Sequence, residues 1–92
     1  MANNFYVLTK RKKNRTLSIR LSGDFDGSSA CELINVLKEN AENHDNIAID
    51  TNGLRTIYNF GLNVFRPHLS KGTNTRLAIE LTGRFREVFQ AE

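Results

Sequence analysis

Two carboxylates one residue apart, in Asp24-Phe25-Asp26-Gly27-Ser28, are the residues whose type and spacing come nearest to chemistry. An Asp-x-Asp at a strand end, joined by Asp50 from a neighbouring strand end, offers oxygen ligands for Mg²⁺ and a carboxylate able to form an aspartyl-phosphate. Enzymes of that kind also use lysine and further acidic residues, and Gly23 separates this pair from the apolar run before it. Turn and helix-cap duty accounts for Asp24 and Asp26 without catalysis, and that is the preferred reading. Ser28, Ser29, His44 and His68 fall in no nucleophile-base arrangement. The chain also lacks a Gly-x-x-x-x-Gly-Lys loop, a Gly-x-Gly-x-x-Gly turn and any zinc spacing. Cys31 is the sole cysteine, which leaves no internal disulfide, and its place in a helical pattern predicts a small buried thiol. His44 is expected at a helix end on the surface. No enzymatic activity, metal or cofactor is expected.

The charge pattern narrows the partners. Net charge is +3, yet Lys10, Arg11, Lys12, Lys13 and Arg15 supply five positives; subtracting them from +3 leaves −2 for the rest of the chain. The basic character belongs to one loop, so a global case for nucleic-acid binding fails, and the run reads as a solvated hairpin tip. Aromatics interleaved with basic residues form no RNP-like pattern. No apolar run approaches the roughly 18 residues of a membrane span, and the start MANNFYVLTK lacks a secretory apolar block. A cytoplasmic protein of one domain, 1–92, without membrane insertion is expected.

The elements that must position these residues follow from periodicity. Phe5-Tyr6-Val7-Leu8 reads as a strand, and Leu17, Ile19 and Leu21 alternate with polar residues as a second, pairing antiparallel with the first. Gly23 to Gly27 breaks that pattern. Ser29 with Glu32 then forms a capping box before the stripe Ala30, Leu33, Ile34, Leu37 and Ala41, predicting a helix over 29–43. Ile47-Ala48-Ile49 is a short strand ending at Asp50, and Thr51-Asn52-Gly53 is a loop signal. Leu54 and Ile57 return to the core, and Asn59 is placed to cap a second helix carrying Leu62, Phe65 and Leu69. Pro67 should kink or end it. Residues 72–74 read as a loop and 77–81 as a fourth strand, while Phe85, Val88 and Phe89 mark a last short helix. The order β-β-α-β-α-β-α, with strands two to four parallel, places the first two helices on one face if those strands are sequential neighbours, and then leaves the other face comparatively open. Tyr58 and Phe60 are weighed as core plugs against partner anchors, with the core preferred.

Together, Leu21-Ser22-Gly23-Asp24-Phe25-Asp26, the capped helix with Leu33 and Leu37, Ile47-Ala48-Ile49-Asp50, Leu54, Ile57 and Gly61-Leu62 resemble the STAS domain over residues 5–89. That family includes bacterial anti-sigma factor antagonists and the cytoplasmic ends of sulphate transporters. The resemblance implies an α/β fold: a four-stranded mixed sheet, first strand antiparallel and the rest parallel, with about three helices in a right-handed β-α superhelix. It also implies a non-enzymatic protein-interaction switch. In the antagonists the loop before helix two carries Asp-Ser-Ser-Gly or Asp-Ser-Thr-Gly, whose first Ser is phosphorylated by a partner kinase. Tyr58-Asn59-Phe60-Gly61 stands in that place, so the Gly is kept and the phosphoacceptor is replaced by Asn59. Asp26 matches the acidic residue of the first loop, near the switch position.

The resulting expectation is a regulator that docks a protein partner, an anti-sigma factor or kinase-like protein, through Asp24, Asp26, Ser28, Tyr58, Asn59, Phe60, Gly61 and Leu62. Two other readings stay open: an accessory subunit of a membrane transporter, and a Mg²⁺-dependent phosphotransfer enzyme using Asp24 and Asp26. Neither the pathway nor the oligomeric state is legible, because one fold hosts several uses.

Overall fold

A computed structural model describes residues 4–70 and 78–90; the expected loop at 72–74, Leu77 and the side chain of Leu69 lie outside what is described. The strands form one sheet in the order β1-β2-β3-β4: β1 (Tyr6–Lys12), β2 (Thr16–Phe25), β3 (Asn46–Ile57) and β4 (Ala78–Thr82). β1 runs antiparallel to β2, and β2, β3 and β4 run parallel. The helices are α1 (Gly27–Asn40), α2 (Asn59–Phe65), α3 (Pro67–Ser70) and α4 (Arg86–Gln90). The mixed sheet matches the expectation, and its sequential order is the condition under which the first two helices share a face. The break at Pro67 is also where the ring predicts it: α2 ends at Phe65 and Pro67 opens α3, where its missing N–H costs nothing.

The alternating apolar residues of β2 and β3 form the floor of the core. Leu17, Ile19, Leu21, Ile47 and Ile49 are buried beneath Ala30, Leu33, Ile34 and Leu37 of α1 and Leu62 and Phe65 of α2. Phe25, Phe65 and Phe89 are fully buried and meet edge to face, with ring centroids 4.9 to 6.1 Å apart, so strand β2, helix α2 and helix α4 close on a single aromatic cluster. Phe5 extends it from the chain start.

Several expectations are corrected. β3 does not stop at Asp50; it continues to Ile57 through Thr51-Asn52-Gly53. The register steps from Arg20↔Asp50 to Ser22↔Gly53, so the loop-like composition serves a bulge inside a strand. Buried Thr51 fixes that stretch, its hydroxyl donating to the Thr82 carbonyl at 2.8 Å and accepting from the Phe85 N–H at 3.0 Å. β2 likewise runs through Gly23 to Phe25. Gly23 has φ +91°, and a Cβ there would overlap the Asn4 carbonyl that crosses it, so the glycine is a bend within the strand.

At the hairpin, Lys10, Arg11 and Lys12 belong to β1 and only Lys13, Asn14 and Arg15 make the turn, with Asn14 and Arg15 in the left-handed region at φ 62° and 56°. Arg15 is not merely solvated: its guanidinium donates to the Glu42 carbonyl at 3.0 Å and pairs with Asp45 at 3.1 Å, tying the turn to the α1–β3 connection. His44 is buried at 5% exposure rather than on the surface. Its Nδ1 lies 3.1 Å from the Asn40 carbonyl; because a carbonyl only accepts, that nitrogen carries the proton and closes the end of α1. Cys31, expected to be buried, is exposed on α1.

Candidate functional site

The expected site draws on two segments 30 residues apart in sequence, and the sheet brings them together. β2 and β3 pair in parallel as far as Phe25↔Ile57, so α1 and α2 begin side by side at one end of the sheet. The Tyr58 N–H donates to the Phe25 carbonyl at 2.9 Å. The glycines show how close the approach is. A Cβ on Gly61 would stand 2.7 Å from the Asp26 carbonyl oxygen, and one on Gly27 would stand 2.6 Å from the Phe60 ring. The first turn of α2 therefore rests on the backbone of Asp26, and the Phe60 ring lies across Gly27.

Asp26 begins α1. It is the N-cap, with Oδ1 accepting from the Ser29 N–H at 2.9 Å and lying 3.2 Å from the Ser28 hydroxyl and 3.0 Å from that of Ser29. The helix thus starts at Gly27, two residues before the expected Ser29, because the Asp26 carboxylate caps the Ser29 amide and Ser29 lies inside the first turn. The Ser29 hydroxyl is buried and also lies 2.9 Å from the Asp24 carbonyl. The backbone N–H of Ser29, together with both hydroxyls, holds the Asp26 carboxyl below the usual carboxylate range, while partial desolvation opposes this.

Asp24 is engaged otherwise. Arg55 grips it with two bonds, Nε to Oδ1 at 3.2 Å and Nη2 to Oδ2 at 3.0 Å. Those bonds and the neighbouring charge hold the Arg55 guanidinium above its ordinary range. Arg55 escaped the sequence reading because the pair spans 31 positions and appears only once the register sets Asp24 opposite Thr56. Asp50 does not join the other two carboxylates. In the register it stands between Arg20 and Thr82, and its Oδ1 accepts from the Asn52 N–H at 2.9 Å. Among the described residues no group of three His, Cys, Asp or Glu side chains could hold a metal ion.

The second segment divides by exposure. Leu62 is buried in the core and Gly61 is buried against Asp26, so these two shape the site from beneath. Asn59 is the first residue of α2 rather than its cap; the cap is Tyr58, with no side-chain bond to the turn. Tyr58 at 51% and Phe60 at 70% exposure stand on the surface, against the preference for the core, which is already filled by Phe25, Phe65 and Phe89. Ser28 is exposed beside them. The result is a small patch of Ser28, Tyr58, Asn59 and Phe60 flanked by the engaged carboxylates of Asp24 and Asp26.

Comparison with solved structures supplies the fold. The chain is similar to an anti-sigma factor antagonist from Mycobacterium paratuberculosis, with a TM-score of 0.68, 15% sequence identity and coverage of 87% of this chain and 68% of that one. The STAS-like fold expected from the residues is the fold the chain adopts. No family model and no curated protein matches the sequence.

Proposed function

We propose that the chain is a non-enzymatic interaction module of the anti-sigma factor antagonist type, docking a protein partner through the patch formed where α1 and α2 begin. The observation that carries this reading is the exposed pair Tyr58 and Phe60, held on a rigid turn by the packing of Gly61 on Asp26 and of Phe60 on Gly27. Aromatic side chains that cost little conformational entropy to immobilise are the usual anchors of protein interfaces. The partner class is taken from the similar structure, an anti-sigma factor antagonist, whose counterpart is an anti-sigma factor. In this reading Asn59 occupies the place of the phosphorylated serine. An amide accepts no phosphoryl group, so the patch stays neutral and binding-competent without a kinase-driven off state.

The phosphotransfer reading finds no comparable support, since Asp24 is spent on Arg55, Asp26 on the cap of α1, and Asp50 stands elsewhere in the register. The test is affinity capture on the native chain, followed by calorimetric titration of the captured protein into wild type and Phe60→Ala. A loss of about 2 kcal/mol or more in Phe60→Ala is expected of an anchor residue. Metal-dependent turnover of a phosphoester, lost in Asp26→Asn, would replace this reading with the enzymatic one.

A further inference from the structure

The sheet has a second face. On the two central strands, Leu17 to Leu21 and Ile47 to Thr51, residues facing the helices are buried, whereas those between them in sequence point the other way and are exposed or half-buried. Tyr6 and Leu8, each 61% exposed, lie on that face of edge strand β1, opposite Ser22 and Arg20. Three rows of side chains cross it through all four strands. One reads Lys10, Ser18, Ala48, Glu80; the next reads Leu8, Arg20, Asp50, Thr82; the third reads Lys12, Thr16, Asn46, Ala78. The first two rows are positive towards β1 and negative towards β4, and the third carries a single charge, Lys12 on β1. Reversed end for end, each of the first two rows presents the opposite charge at every charged position, so such a row and its own reverse are complementary; in the third, Lys12 meets the small, uncharged Ala78.

A two-fold axis parallel to the strands performs that reversal. It stacks two sheets face to face, laying β1 over β4 and β2 over β3 of the second copy at the same height along the strands. Lys10 then faces Glu80 of the second copy and Arg20 faces Asp50 of the second copy, each contact occurring twice by symmetry. The small Ser18 and Ala48 at the centre admit the spacing of roughly 10 Å at which sheets pack, and Leu8 comes to lie against Thr82 of the second copy. Arg20 and Asp50 are cross-strand neighbours and also attract within one chain. Lys10 and Glu80 sit on opposite edges three strand spacings apart, about 14 Å, beyond pairing distance and beyond the Debye length at physiological salt. Their complementarity is realised only between chains.

We propose that this open face is a self-docking surface, on which a second copy of the chain packs about a two-fold axis parallel to the strands through Lys10–Glu80 and Arg20–Asp50 contacts. It is separate from the Phe60 patch and does not depend on it. Sedimentation equilibrium of the full chain at low and at physiological salt tests it. The average mass should rise with concentration from 10.5 kDa towards twice that value, less steeply at higher salt. Lys10→Glu and Glu80→Lys should each weaken association about tenfold or more, while the double variant Lys10→Glu/Glu80→Lys, which inverts the row and keeps its antisymmetry, should return to within about threefold of wild type. Phe60→Ala should leave association unchanged. Circular dichroism confirms that each variant is folded. A chain that stays at 10.5 kDa at its highest soluble concentration overturns the proposal, and so does a dimer indifferent to the single reversals or a double variant as weak as the singles.

Discussion

Asp26 shows how much of the candidate site is structural at the residue scale. Its carboxylate starts α1 and supports the turn on which Gly61 rests, so Asp26→Ala should cost about 1 kcal/mol in chemical denaturation. Asp26→Asn keeps an N-cap acceptor and separates charge from capping. Because the folded carboxyl is held below its ordinary value of 3.8, it contributes stability that is present above that value and is lost as pH falls through the lower folded value. Stability to denaturant should therefore fall less steeply on acidification below about pH 5 for Asp26→Asn than for wild type; parallel curves would mean the cap charge has no such role. Asn59 behaves differently, being exposed on the first turn of α2. Asn59→Asp places a negative charge where the helix dipole favours it by about 0.3–1 kcal/mol, so the thermal midpoint should hold or rise while partner affinity falls through the desolvation of an unpaired carboxylate.

At the scale of elements, helix α1 was legible because Ala30, Leu33, Ile34 and Leu37 repeat at helical spacing and all four are buried. Leu37→Ala should cost about 2–5 kcal/mol in equilibrium unfolding, through lost burial and the cavity left behind. Composition failed at the strand ends. Thr51-Asn52-Gly53 and Gly23-Asp24 carry turn residues, yet the first holds a bulge and the second a bend within paired strands, and the partner strand that sustains each lies outside any local window. The same blindness hid the Arg55–Asp24 pair and the burial of His44, both set by tertiary contacts. Gly61, by contrast, was picked out by resemblance and its role is now physical: the start of α2 presses on the Asp26 backbone. Gly61→Ala should cost about 1–3 kcal/mol, since the methyl must push the two helix starts apart; a neutral outcome would show that α2 can shift without penalty.

For the whole molecule, the sheet separates two tasks. The helix-covered face supplies the core, and the end where α1 and α2 begin carries exposed aromatics that this core has no room for. The general habit of aromatics points Tyr58 and Phe60 inward while the family resemblance places them in the docking set; the habit holds for Phe25, Phe65 and Phe89 but not for side chains beyond the filled cluster. Exposed aromatics on a fixed turn should matter for association rather than for folding. The most direct measurement is a titration of the captured partner into wild type and Phe60→Ala, run beside thermal unfolding of both proteins. An affinity weaker by about thirtyfold or more for Phe60→Ala, the equivalent of about 2 kcal/mol, with an unchanged unfolding midpoint is the predicted result. Equal affinities would contradict the account and move the docking surface away from the start of α2.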